Sequence, residues 1–442
     1  MRKRLTVLTV GCKANFADSA SVVREAVSAG FEVAAPGEPA DVVIVNSCTV
    51  THKADRDSRS LVRRARREHP RASIVLTGCY AHTSPGAKER LPEADHWIGD
   101  PSALAGLLRE IGGGSQEERP PLSEFAADLL LGHRRTFLKI QDGCEFSCAY
   151  CIVPRARGRN RSVEEKEIVE RAVAAERDGA RELVLTGIHA GLYGADRGES
   201  GGLSRLVALL LKETSIARIR LSSIEPMEIT DRLLDVIEEN DRVCPHLHVP
   251  LQSGCDATLS RMRRPYDAAG YAGKVCAAAS RIPSLQIGAD VIAGFPGESA
   301  ADFEETVRFL ARVPVNYLHV FSYSARPGTE SAGWPDDVPA REKKERVSRL
   351  LQLDGRKRKA FLRAQVGREM QVLAETAGRR GGELSGYSEN YVPVAFPGEC
   401  SGIGKIFTVR AICVGDGGLT GARIDPLRIQ TEDPSSEGPP TE

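Results

Sequence analysis

Short apolar runs alternate with longer segments whose apolar residues recur every three or four positions, and this rhythm predicts strands and helices in turn. Over residues 5–111 the strand candidates are Leu5–Val10, Asp41–Val45, Ser73–Leu76 and a short Trp97-Ile98. Helical patterns lie between or after them, at Phe16–Ala29, Thr51–Glu68 and Pro101–Ile111. Regular strand–helix alternation predicts a doubly wound α/β unit with a parallel sheet. The run Gly112-Gly113-Gly114-Ser115 through Pro120-Pro121 is a linker by composition, and the helix-like Leu122–Leu131 follows it.

The alternation resumes at residue 134. Strand candidates are Thr136–Gln141, Glu182–Thr186, Arg218–Ser222, His246–Pro250, Leu285–Ile292 and Tyr317–Ser322. Six such units predict an open, partial (β/α)6 barrel, with its active site on the C-terminal face. Beyond residue 366 the character changes. Short runs at Glu369–Leu373, Tyr391–Phe396 and Ile406–Val414 alternate with glycine-rich turns, which predicts a small antiparallel β-barrel. The α/β multidomain organisation expected is therefore 1–111, a linker at 112–133, the partial barrel at 134–365, the small barrel at 366–430 and a Pro/Ser/Glu-rich disordered tail at 431–442.

Composition narrows the function classes. Hydrophobic residues make up 41% of 442, so each domain can bury a core. No apolar run approaches the roughly 20 residues of a membrane span, and the basic start Met1-Arg2-Lys3-Arg4 lacks the apolar region of a signal peptide. The expectation is a cytoplasmic protein with no membrane partner. Sixty basic residues balance sixty acidic ones, so nucleic-acid binding would come from local patches. Two helical stretches are locally basic: Lys53–Arg67 and Arg341–Arg368. The segment Arg157-Gly158-Arg159 with Arg161 could also meet RNA phosphate.

Eleven cysteines in such a chain argue for metal or catalysis rather than disulfides. Cys144, Cys148 and Cys151 form a C-x3-C-x2-C loop just after the first barrel strand. Three thiolates can hold three irons of a [4Fe–4S] cluster and leave the fourth iron open for a ligand. Zinc would call for a fourth Cys or His, and none lies nearby in the sequence. Three strands of the first unit also end in cysteine, at Gly11-Cys12, Asn46-Ser47-Cys48 and Gly78-Cys79. Ligands bind beyond the carboxyl ends of strands in open α/β sheets, so Cys12, Cys48 and Cys79 are expected to converge on a second three-thiolate site. Cys244, Cys255, Cys276, Cys400 and Cys413 lack such spacing and read as structural.

The C-x3-C-x2-C loop with an aromatic before its third cysteine, Tyr150, resembles the radical S-adenosylmethionine (SAM) signature. With the strand-end cysteines, a partial barrel and a terminal small barrel, nearly the whole chain resembles the radical SAM methylthiotransferase family. The end resembles a TRAM domain, an RNA-binding module. Asn46-Ser47-Cys48-Thr49-Val50-Thr51, Lys139-Ile140-Gln141-Asp142-Gly143-Cys144, Leu185-Thr186-Gly187-Ile188-His189 and Leu221-Ser222-Ser223-Ile224-Glu225-Pro226 resemble the MtaB-type branch, which acts on N6-threonylcarbamoyladenosine (t6A) in tRNA. Cys244-Pro245-His246-Leu247-His248 and Leu251-Gln252-Ser253-Gly254 continue the match. Phe16, Ala17, His82 and Arg155 depart from its pattern.

The resemblance implies two [4Fe–4S] clusters, at Cys144/Cys148/Cys151 and Cys12/Cys48/Cys79. SAM on the first would be cleaved to a 5′-deoxyadenosyl radical, and the second would carry sulfur. SAM contacts would come from Tyr150, Thr186, Gly187, Ser222, Gln252 and Asp290, the last within the glycine-bearing Gly288–Gly294 run, where bare backbone lets SAM approach. His189, His246 and His248 lie near the same face, with catalytic and structural roles both open. The implied activity is methylthiolation of C2 of t6A at position 37, in the tRNA anticodon loop. Implied partners are tRNA, a reductant such as flavodoxin or ferredoxin, and a sulfur donor. Competing readings are methylthiolation of isopentenyladenosine in tRNA or of a ribosomal-protein aspartate. An iron–sulfur RNA-binding sensor without catalysis is a further alternative.

Overall fold

Buried Val42–Ser47, apolar through four successive residues, forms the middle of a five-stranded parallel sheet. A computed structural model describes residues 2–35, 37–112, 122–379 and 381–424. Residues 113–121 of the expected linker, and the expected tail, lie outside the described residues. Across the sheet the order is Glu32–Val33, Arg4–Thr9, Val42–Ser47, Ser73–Gly78 and His96–Trp97. Glu32–Val33 carried too short an apolar pattern to be expected. Helices Lys13–Ser28 and His52–Glu68 flank the sheet, so the ends of the three longest strands meet at Cys12, Cys48 and Cys79.

The barrel strands are Thr136–Lys139, Glu182–Thr186, Arg218–Leu221, His246–His248, Gln286–Ala293 and Tyr317–Ser322. The first three pair in parallel, as do the last three. Parallel bridges Ile219↔Val243 and Ser223↔His248 join the two triplets into one six-strand curve. Side chains alternate across a strand. Leu138, Leu183, Leu185, Ile219, Leu221, Leu247 and Val291 pack outward into the core formed with the helices. Their neighbours Phe137, Lys139, Glu182, Val184, Thr186, Arg220, Ser222, His246, His248, Asp290, Tyr317 and His319 therefore face the interior. That interior is polar, unlike the layered aliphatic filling of a closed barrel.

The amino-terminal sheet and the barrel belong to one compact unit, residues 1–364 with 389–391. Helix Lys13–Ser28 lays Phe16 and Ala17 on the inward-facing Phe137 and Val184, with the Phe16 and Phe137 rings stacked at 5.7 Å. The departures at Phe16 and Ala17 are thus packing positions on the barrel. Helix Glu124–Leu130 carries Glu124, which is fully buried and pairs with Arg24 and with Arg171 at 2.7 Å.

Deep in the barrel, Glu182 accepts from Arg220 Nε at 2.6 Å and Arg218 Nη1 at 3.2 Å. Burial alone would raise its pKa, but the two guanidinium groups hold it down to about 2, against an ordinary 4.5. A depressed carboxylate pKa contributes stability present above about 4.5 and lost as pH falls toward about 2. That contribution is roughly 3 kcal/mol. Glu182→Gln is expected to lower stability at neutral pH, by leaving buried cations uncompensated, and to flatten acid unfolding in that window. Denaturant titrations between pH 2 and 5 check it.

The second unit, residues 365–388 and 392–442, holds a closed five-stranded barrel ordered Glu369–Ala377, Glu383–Ser388, Pro393–Pro397, Gly418–Arg423 and Ile406–Gly415. Its pairings are antiparallel except for the parallel Val394↔Leu419 contact. Glu383–Ser388 and Gly418–Arg423 escaped the sequence pattern because glycines interrupt their alternation. Gly386 has a physical reason to be bare: a Cβ there would lie 1.8 Å from the Leu373 carbonyl oxygen.

Candidate active site

The first thiol group is assembled by strand ends. Gly11 takes φ +128°, and a Cβ on it would fall 2.9 Å from the Cys48 Cβ. Cys12 then opens helix Lys13–Ser28 and is exposed, whereas Cys48 and Cys79 are buried. Gly78, at φ +88°, turns the chain so that Cys79 begins the helix Cys79–Thr83. Buried amides stitch these ends together. Asn15 Nδ2 donates to the carbonyls of Val10 at 2.8 Å and Ser47 at 3.0 Å. Asn46 Nδ2 donates back to the Asn15 carbonyl at 2.8 Å. Burial pushes the Cys48 thiol up to about 12, and Cys12 and Cys79 are near enough to push it further. Clustered thiols are held as ligands once a metal replaces their protons.

The second group follows the first barrel strand. Gly143 has φ +77°, and a Cβ there would meet the Arg159 carbonyl oxygen at 1.9 Å. Burial raises the pKa of the Cys151 thiol to about 12, with Cys148 and Cys144 adding to the effect. Arg264 Nη1 donates to Cys148 Sγ at 3.2 Å, and its other nitrogen pairs with Glu225. His189 Nδ1 lies 3.7 Å from Cys144 Sγ, and its Nε2 lies 2.5 Å from Glu228. Both thiol groups sit at carboxyl ends of strands and share one unit. The residues fit two metal clusters with three protein ligands each.

A guanidinium joins them. Arg157 ends the short helix after Cys151. It donates to Asn15 Oδ1 at 2.6 Å and pairs with Asp18 at 2.8 Å and Asp142 at 3.3 Å. It also hydrogen-bonds the Cys79 thiol and opposes the burial that raises its pKa. Arg157 was a candidate for RNA phosphate; with 8% of its side chain exposed, it is instead an internal brace. Arg159 and Arg161 remain exposed. A second brace is Arg326, which reaches Asp55 at 2.6 Å and Thr49 Oγ1 at 2.8 Å. It thereby holds the loop after Cys48 against the barrel, where His52 N also donates to Ser324 Oγ at 3.0 Å. Sequence reasoning missed Arg264 and Arg326, because nothing local marks a guanidinium that meets Cys148 across 116 residues or Asp55 across 271.

The expected SAM contacts are divided in their surroundings. Thr186 Oγ1 and Ser222 Oγ are buried and without a hydrogen-bond partner among the described residues, as hydroxyls awaiting a ligand would be. Gln252 adopts φ +68° where the fourth barrel strand ends. Tyr150 is packed edge-on to Phe295 at 6.3 Å, with its hydroxyl 3.5 Å from Arg264 Nη1. Asp290 accepts from His248 Nε2 at 3.0 Å and lies 3.3 Å from His319 Nδ1. Their ligand atoms lie within 4.8 Å of one another and could also hold a metal ion. Burial would raise the Asp290 pKa, but the two imidazoles keep it well below the carboxylate range.

Protein side chains press closely on three glycines of this region. A Cβ at Gly288 would strike the Tyr317 ring at 2.0 Å, one at Gly294 would strike Lys343 at 2.4 Å, and one at Gly187 would strike Gln141 Oε1 at 2.7 Å. Their bareness admits protein side chains. His246 is structural, buried with Nε2 2.9 Å from Tyr317 Oη. Cys244 and Cys255 are buried as expected, but Cys276, Cys400 and Cys413 are exposed and pack in no core. At the other two departures, a Cβ on Gly328 would fall 1.2 Å from Arg155 Nη1, and one on Gly99 would fall 2.8 Å from the His82 Cα.

A cleft of about 530 Å³ borders Cys79, His82, Asp142, Arg155 and Arg161. A larger one, about 780 Å³, lies by Pro39 and His69 and has no thiol in its lining. No helix among the described residues is long and apolar enough to cross a membrane.

Three family models match the chain: an uncharacterized protein family, UPF0004, over residues 4–99, the Radical SAM superfamily over 138–310, and the TRAM domain over 363–421. The threonylcarbamoyladenosine tRNA methylthiotransferase MtaB of Bacillus subtilis is 36% identical over 92% of this chain and 93% of its own length. MtaB of Aquifex aeolicus is 36% identical over 91% of this chain and 98% of its own. The tRNA-2-methylthio-N6-dimethylallyladenosine synthase of Novosphingobium aromaticivorans is 32% identical over 95% and 97%. Among solved structures, the radical S-adenosylmethionine methyltransferase TsrM of Kitasatospora setae shares the fold. Its TM-score is 0.54 at 14% identity, over 73% of this chain and 75% of that one.

Proposed function

Because the chain belongs to the radical SAM tRNA methylthiotransferases, we propose that it methylthiolates C2 of t6A at position 37 of tRNA, giving the 2-methylthio derivative. The observation that carries this reading is the pair of three-thiol groups in one unit, braced by Arg157. An electron-transfer or sensor protein has no use for two incomplete ligand sets, since its clusters are ordinarily capped on all four irons.

In this reading Cys144, Cys148 and Cys151 hold one [4Fe–4S] cluster with SAM, and Cys12, Cys48 and Cys79 hold the other. Bound, these groups supply the radical chemistry, the sulfur and the methyl group that an unactivated aromatic C–H requires. The protein orients and shields. Thr186 and Ser222 offer buried hydroxyls to SAM, and Tyr150 and Phe295 wall the loop that carries Cys148 and Cys151. Burial raises the pKa of the Cys148 thiol, and the positive charge of Arg264 opposes that rise. Arg157 keeps the Cys79 strand end fixed to the helix that follows Cys151.

The tRNA partner enters through its anticodon loop, where an unpaired base can leave the stack for a protein pocket. Exposed Lys53, Arg56, Arg63, Arg64 and Arg67 on helix His52–Glu68 supply phosphate contacts, as do Arg356 and Lys359 on helix Ala340–Gln365. The TRAM unit supplies further RNA affinity. An electron donor such as flavodoxin or ferredoxin and a sulfur donor complete the reaction.

The test is nucleoside mass spectrometry of tRNA from a strain lacking this activity and expressing the chain. Appearance of 2-methylthio-t6A supports the reading. Methylthiolated isopentenyladenosine with t6A untouched assigns the chain to the other branch. No change in either, with both clusters loaded, rejects a tRNA substrate.

A further inference from the structure

At the polar barrel interior stands a cation, Lys13, that makes no ion pair among the described residues. Lys13 follows Cys12 directly and lies on the helix whose Phe16 and Ala17 cover the barrel. Its ammonium stands 5.3 Å from the centroid of the Tyr391 ring. Other cations nearby are engaged: Lys139 with Asp18 at 2.6 Å and Asp142 at 3.1 Å, Arg220 with Glu182 at 2.6 Å. Lys13 forms no hydrogen bond or ion pair among the described residues. Glu182 and Tyr391 face it along with Arg220 and Arg135, and Glu182 is already paired with Arg218 and Arg220. Lys13 is half-buried. Cys12 is exposed beside it, and the inward-facing Asp290 and His319 keep 25% and 51% of their side chains accessible.

A half-buried cation that makes no ion pair, beside a carboxylate already committed to two guanidinium groups, is a place for an anion. The two candidate tRNA substrates differ in this respect. The threonylcarbamoyl substituent ends in a carboxylate, whereas a dimethylallyl group is uncharged hydrocarbon. Lys13 directly follows Cys12, so it adjoins the group at which the base would be presented. We propose that Lys13 is a specificity-determining residue that binds the threonyl carboxylate of t6A. The assignment rests on the t6A reading above and gives that reading a physical basis within the barrel.

Cluster-reconstituted full-length enzyme would be assayed on anticodon stem-loops carrying t6A, its threonine-carboxamide analogue, or dimethylallyladenosine at position 37. Wild type is expected to prefer t6A over the neutral carboxamide by about tenfold to a hundredfold in kcat/KM, the range of a charge-assisted contact. Lys13→Met should lose that preference, chiefly through KM for t6A, and Lys13→Arg should restore most of it. Iron content reports whether the neighbouring Cys12 site is still loaded. A purely structural lysine would depress all three substrates alike, and that result overturns the proposal. So does a wild type that modifies t6A and its carboxamide equally, a comparison that needs no variant. A wild type inert on t6A but active on dimethylallyladenosine overturns the t6A reading itself.

Discussion

A Cys12→Ala enzyme is expected to cleave SAM to 5′-deoxyadenosine and yet leave t6A without a methylthio group. Cys12 belongs to the strand-end thiols, whereas the group proposed to face SAM is Cys144, Cys148 and Cys151 on a separate loop. Removing Cys12 leaves Cys48 and Cys79, both buried and unable to supply a third ligand. The substitution itself is mild for folding, because Cys12 is exposed and its backbone carbonyl still accepts from Phe16 N. Methylthiolation should fall at least about a hundredfold, a loss of ~2.7 kcal/mol in transition-state stabilisation. Cys148→Ala should instead abolish both activities. Chromatography of 5′-deoxyadenosine beside nucleoside mass spectrometry separates the two, and loss of SAM cleavage in Cys12→Ala would refute this division of labour.

Breaking the Arg326 brace is expected to have the largest effect on stability. Arg326 and Asp55 are both buried, paired at 2.6 Å, with Thr49 Oγ1 bound to each of them. Arg326→Met leaves Asp55 as an uncompensated buried carboxylate, a penalty of about 3–5 kcal/mol. The double variant Arg326→Met, Asp55→Leu removes both charges and should recover much of it, because an apolar pair of similar volume avoids desolvation. Denaturant midpoints of the two singles and the double form the cycle. The brace also holds the loop after Cys48, so iron bound at the Cys12/Cys48/Cys79 group should fall in Arg326→Met before iron at the other group. A double variant no more stable than Arg326→Met would show that packing, not the buried charge, dominates here.

Much of this protein was legible in the linear pattern. Strand–helix alternation gave the parallel sheet and the six barrel strands to within a few residues, because both depend on short-range periodicity. The C-x3-C-x2-C group was legible because its ligands share one loop. Convergence of Cys12, Cys48 and Cys79 was legible because equivalent strand ends in a parallel sheet share one edge. Glu383–Ser388 and Gly418–Arg423 were not, since their glycines answer to backbone crossings such as Gly386 against Leu373.

The sequence by itself therefore determined most of the elements, their order and the six thiols, all matters of local spacing. Only the tertiary structure decided what surrounds those thiols. Arg157 moved from the RNA surface to the brace between the thiol groups, and Arg326 met Asp55 across 271 positions. Gly288 proved to lie against a tyrosine ring, and Lys13 inside the barrel forms no ion pair among the described residues. The physical reason is common to all four. An ion pair or a steric contact depends on which distant residue shares its few ångströms of space, and no periodicity along the chain encodes that.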